Sequence, residues 1–106
     1  MELMTKKQKE QLVKNHKLQE ANPDKDMKNK AVIKLFNPTG LGTWYASEYD
    51  PETRIAFGVA DLGFPEMGSF AMYELEEMKL PFGLKIERDL HFPENKYTLT
   101  ECLELC

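Results

Sequence analysis

Only two histidines, two cysteines and one tryptophan occur in this chain of 106 residues, and no long apolar run interrupts it. A bilayer-spanning helix needs about 18–20 consecutive apolar residues, so none is expected. The polar opening MELMTKKQKEQ has no apolar stretch of the kind a secretory signal requires. Together these absences predict a cytoplasmic protein without membrane contact. Cys102 and Cys106, four apart at the end of the chain, do not form a disulfide framework and fit a reducing compartment.

The scarcity of histidine also limits the chemistry. A nucleophilic triad needs a Ser or Cys, a His within reach and a group that orients it. Neither His16 nor His91 stands in such a motif, so pairing His91 with Cys102 or Cys106 has no support beyond residue type. For zinc, His91, Cys102 and Cys106 are weak candidates: the ligand types are right, but a fourth ligand is missing and the two cysteines continue an apolar stripe. Gly40-Leu41-Gly42-Thr43 lacks the Gly-Lys-Ser/Thr ending of a phosphate loop and reads as a turn. Asp61 with Glu77-Met78-Lys79 spells a nuclease motif loosely, but on a predicted helix. The expectation is no catalytic residue, no cofactor and no enzymatic activity.

What is present is ordinary globular composition with an uneven charge. The apolar fraction of 42% and the length suit one folding unit. Residues 1–34 contain nine lysines against five acids, a balance of +4, whereas residues 35–106 contain five basic side chains against thirteen acids, a balance of −8. The chain therefore divides into a basic helical arm with its linker, residues 1–30, and an acidic α+β body, residues 31–106. A basic arm on an acidic body argues against whole-surface contact with nucleic acid.

Thr5 and Gln8 have capping-box spacing and predict a helix from Lys6 to about Ala21. Its apolar content, chiefly Leu12, Val13 and Leu18, predicts loose packing. Strands are expected at Ala31 to Phe36, Thr43 to Tyr49 and Ile55 to Leu62, joined by Asn37-Pro38-Thr39-Gly40 and Asp50-Pro51-Glu52-Thr53. Pairing Tyr49 with Arg54 would set Trp44 opposite Val59 and Ala46 opposite Phe57 on a core face. Tyr45 and Tyr49 would then share the other face, either under a covering helix or as an open aromatic shelf. A middle helix capped by Ser69 and running to Lys79, a poorly alternating extended segment at Leu84 to Phe92, and a last helix opened by Thr98 and Glu101 complete the reading. The fold expected is a three- to four-stranded antiparallel meander with three helices.

The acids form three local groups: Glu48, Asp50 and Glu52; Asp61 and Glu66; and Glu74, Glu76 and Glu77. Their sharper reading is a docking surface that competes with nucleic acid for a basic groove on a partner protein.

Several turn and strand sequences occur in combination: Phe36-Asn37-Pro38-Thr39-Gly40, Gly42-Thr43-Trp44, Glu48-Tyr49-Asp50-Pro51, Ala56-Phe57-Gly58 with Asp61-Leu62-Gly63, Pro65-Glu66-Met67-Gly68, and Pro81-Phe82-Gly83-Leu84 leading to Glu87-Arg88-Asp89-Leu90. Across about Ala31 to Leu99 they resemble the domain of unknown function 2958 family. The resemblance implies a setting of plasmids, conjugative elements and phages, near conjugation and anti-restriction genes, and supplies no catalytic residues. The basic arm and the cysteine-containing end depart from the pattern.

The leading expectation is a non-enzymatic inhibitor or accessory protein of a mobile element, acting on a host-defence protein in an anti-CRISPR or anti-restriction role. The alternative is a nucleic-acid-binding accessory protein in which Lys6, Lys7, Lys9, Lys14 and Lys17 contact phosphates and Tyr45 and Tyr49 stack on bases. A small zinc-binding protein is the third.

Overall fold

Thr5 begins the first helix as the sequence predicts. In the computed structural model, which describes residues 2–105, its hydroxyl accepts from the Gln8 N–H at 3.1 Å while Gln8 Oε1 accepts from the Thr5 N–H at 2.9 Å. The helix, α1, spans Lys6–Ala21. After it come β1 (Ile33–Phe36), β2 (Thr43–Asp50), β3 (Ile55–Asp61) and β4 (Pro65–Ala71), then α2 (Met72–Glu77), β5 (Glu87–Arg88) and α3 (Leu99–Leu105). The strands form one antiparallel sheet in the order β4-β3-β2-β1-β5. The fold is α+β, with five strands where three or four were expected.

Both faces of the sheet are covered. On one, Leu12 of α1 joins Ile33, Leu35, Trp44, Ala46, Tyr49 and Ala56, with Met72 and Leu75 from α2. On the other, Leu99 and Cys102 of α3 join Ala31, Tyr45 and Val59, flanked by Phe57, Phe92 and Tyr97.

The strand register differs from the expected one, and the cause is a β-bulge. Trp44 pairs with Ala60, Tyr45 with Val59 and Ala46 with Gly58; the ladder then slips at Ser47, so that Glu48 pairs with Phe57 and Asp50 with Ile55. Side chains alternate between faces along a strand, and one inserted residue reverses the alternation beyond it. Tyr45 and Tyr49 therefore lie on opposite faces, 2% and 4% exposed. The two tyrosines form no open aromatic shelf, and Phe57 and Val59 face away from Trp44.

Gly58 is needed for close approach. A Cβ built there would lie 1.7 Å from the carbonyl oxygen of Tyr45, a backbone atom that cannot turn aside.

The first helix is not loosely packed. Its inward side carries Leu12, fully buried, and Asn15, 7% exposed. Asn15 Nδ2 donates to the carbonyl of Ser47 at 2.9 Å. That carbonyl belongs to the bulge residue, which has no partner in the β2–β3 register. A buried carbonyl without a partner is costly, so the amide both satisfies the bulge and fixes the helix on the sheet. Gln11 Nε2 donates to Asn15 Oδ1 at 2.8 Å, and Asn29 Nδ2 to the Asn15 carbonyl at 3.1 Å. Gln19 folds the following linker back, donating to the carbonyls of Asn22 and Lys25 and accepting from the Met27 N–H.

The expected helix from Ser69 to Lys79 is also corrected. Pro65 to Ala71 instead form β4, paired along its whole length with β3, and α2 begins only at Met72 with no side-chain cap. Ladder hydrogen bonds to β3 override weak local helix signals around Gly68, and a proline at the first strand position is tolerated. Met72 and Leu75 do face the core, with Met78 packed alongside.

Candidate functional site

The sheet separates the acidic groups into two ends and a groove. At one end the β2–β3 turn meets α2: the Met72 N–H donates to the Arg54 carbonyl at 3.0 Å, and the Arg54 guanidinium lies over the Tyr73 ring, 4.8 Å from its centre. Asp50, Glu52, Glu74, Glu76 and Glu77 gather there, all exposed except the half-buried Asp50. Asp61 and Glu66 sit at the far end of β3 and β4, about 20 Å away along a seven-residue strand. The eight expected acids are thus not one surface.

Part of this acidity serves the turns. Asp50 Oδ1 accepts from the Glu52 N–H at 3.0 Å, and Asp61 Oδ1 from the Gly63 N–H at 3.0 Å. The first of these bonds, helped by Thr53 and the nearby His16, holds the Asp50 carboxyl below its ordinary value. His16 Nε2 stands 3.8 Å from Asp50 and 3.5 Å from Glu20.

Glu48 occupies a different setting. The bulge turns it to the α3 face, into a groove of about 770 Å³ bounded by the linker from Pro23 to Asn29, by Phe57, Met67 and Ser69, and by Thr98 to Thr100. Burial raises its pKa, a push that Asp26 reinforces and that the Asn29 amide and His16 oppose. Tyr49 is likewise raised, by burial first and then by Glu76.

Most lysines of α1 point away from the sheet, although Lys6 and Lys9 also border a cleft that Glu76 and Lys85 line. At 100° per residue, Lys6, Lys7, Lys14 and Lys17 share the side of α1 opposite Leu12 and Asn15, and all are exposed. Lys9 stands apart, its ammonium 5.9 Å from the centre of the Tyr49 ring. The tyrosines that were to stack on bases are buried, so this helix offers phosphate contacts without an aromatic platform.

Cys102 is buried beneath α3, whereas His91 is exposed. Cys106 lies outside the described residues. Among the described residues no three histidine, cysteine or carboxylate groups gather where they could hold a metal. No helix among them is long and apolar enough to cross a membrane.

A set of exposed apolar side chains was missed. Leu41, Leu62, Phe64 and Phe82 are 74%, 64%, 74% and 94% exposed. Leu41 in the β1–β2 turn and Leu62 and Phe64 in the β3–β4 turn lie at the end of the sheet away from the five clustered acids, and Phe82 lies in the segment between α2 and β5. A sequence signal was available: Leu41 lies between Gly40 and Gly42, Phe64 between Gly63 and Pro65, and Phe82 between Pro81 and Gly83. Large apolar residues enclosed by turn formers cannot enter a regular element's core-facing pattern.

Residues 3–106 match the family described as "Protein of unknown function (DUF2958)", and the chain belongs to that family. The match includes the basic helix and the cysteine-containing end, which had been read as departures from the pattern. No curated protein and no solved structure matches the chain.

Proposed function

We propose that this member of the DUF2958 family is a non-enzymatic protein-binding module that docks through its acidic end on a basic, nucleic-acid-binding groove of a partner. The observation that carries this reading is the placement of Asp50, Glu52, Glu74, Glu76 and Glu77 where the β2–β3 turn meets α2, with only Glu76 of the five sharing a cleft with the α1 lysines Lys6 and Lys9. Lys6, Lys9 and Lys85 beside Glu76 weaken the field there, so the steering of such an encounter rests on the other four acids. The setting implied by the family resemblance makes host-defence nucleases, of CRISPR or restriction type, the partners to test first.

The test is capture of such nucleases by the purified protein, with cleavage assays at rising salt. Inhibition at low salt that weakens as salt rises is expected, and the triple variant E74K/E76K/E77K loses it at least about tenfold. No binding and no inhibition at low salt would sink the reading.

A second reading keeps the exposed lysines of α1 as a phosphate-contacting stripe. It predicts gel-shift binding to DNA that falls steeply with salt and is abolished by K6E/K7E/K14E/K17E. Binding that survives those changes rejects it.

A further inference from the structure

The outer edge of β4 is the longest unpaired stretch of sheet backbone. β4 runs seven residues, pairs with β3 from Ile55↔Ala71 to Asp61↔Pro65 without a register break, and ends the strand order. The opposite edge, β5, is only two residues long. A regular exposed edge presents a row of N–H and C=O groups that template another strand. The usual defences are missing from β4: it has no lysine and no bulge, and its proline stands at the first position.

We propose that this edge pairs with β4 of a second copy of the chain, antiparallel about a two-fold axis at Gly68, so that two five-stranded sheets join into one. An axis at Gly68 is the symmetric register that pairs all of Pro65–Ala71. It sets Met67 opposite Ser69 of the second copy and Glu66 opposite Phe70, so the strand's one charge never meets its own mate. At the axis itself glycine meets glycine, so no side chain is set against its own copy there.

A stable interface buries about 1,200 Å² or more in total. A seven-residue ladder centred on glycine does not reach that alone. Met67, 44% exposed, lies on the strand, and Leu62 and Phe64 extend the contact from the adjoining turn. Continuing the same register carries Phe64 toward the start of α2 in the second copy. This assembly goes beyond the acidic docking surface and does not depend on it.

Sedimentation equilibrium on the purified full chain tests the proposal. A monomer–dimer equilibrium with a dissociation constant of about 10–100 µM is expected. M67K/S69K places like charges directly opposite one another and weakens association at least about tenfold, while M67K/S69E places a lysine opposite a glutamate and restores it. Both side chains are exposed, and circular dichroism of the diluted variants confirms that the monomer stays folded. A wild-type chain that remains monomeric through this range overturns the proposal, including where a strand from another protein occupies the edge. So does a dimer that M67K/S69K leaves intact, or one that M67K/S69E fails to restore.

Discussion

The two faces of the sheet are covered in different ways. A sixteen-residue helix closes one, yet it contributes only Leu12 and Asn15 as buried side chains. The other is closed by the seven-residue α3, which contributes Leu99 and Cys102 and is assisted by Phe92, whose ring lies 5.6 Å from that of Tyr45. The long helix thus adds amide hydrogen bonds to a bulge and a linker to the burial of Leu12 and the packing of Val13, whereas the short one is held by apolar contact. A weak apolar stripe therefore does not imply a detached helix when the sheet offers it an unpaired carbonyl.

The largest expected effect abolishes the comparison altogether. Gly58→Ala drives a methyl into the β2 backbone between the two faces, and a loss of about 4 kcal/mol or more is expected in urea unfolding, with both faces exposed together. Leu12→Ala, a fully buried truncation, costs about 3 kcal/mol and raises amide exchange in α1 while α3 stays protected. Equal loss of protection in both helices would mean that the two covers do not act separately.

Asn15→Ala leaves the Ser47 carbonyl buried and unpaired, at a cost of about 1–3 kcal/mol. Asn15→Leu should recover none of it, since packing alone cannot satisfy that oxygen. A recovered melting temperature in Asn15→Leu would show the helix to be held by apolar burial after all. On the other face, Thr98→Ala removes the cap that accepts from the Glu101 N–H at 3.2 Å, for about 1 kcal/mol, read as fraying of α3 alone.

The smallest effect is one of sign and appears only with pH. Thr98 hydrogen bonds hold Glu101 below its ordinary 4.5, so its contribution is present above 4.5 and is lost as pH falls through the folded-state value. Burial raises Glu48 above the same 4.5, so its contribution is fully present below 4.5 and lost as pH rises through its folded-state value. Glu48→Gln should therefore raise the melting temperature at neutral pH and lose that advantage near pH 4. A variant equally stabilised at both would show that ionisation of Glu48 is not the cause.

Much of this was legible beforehand. The capping boxes at Thr5 and Thr98 are local patterns, and local hydrogen bonds suffice to start both helices where the spacing says. The first three strands followed from β-type runs between proline- and asparagine-bearing turns. The acidic groups were legible as composition, but their division between two ends of the sheet was not, because it depends on strand direction. Tyr45 and Tyr49 were misplaced for one reason: a bulge leaves no mark in the alternation, and a single inserted residue moves Tyr49 to the opposite face.

The amino-acid sequence by itself determined the class of fold, the helix starts, the charge asymmetry and the family, since these rest on short-range patterns and on composition. Tertiary structure alone decided that Pro65–Ala71 is a strand, that Ser47 forms the bulge and that Asn15 answers it, because each depends on a hydrogen-bonding group supplied by residues distant in the chain. It also decided that β4 lies at the edge, which no pattern within β4 records.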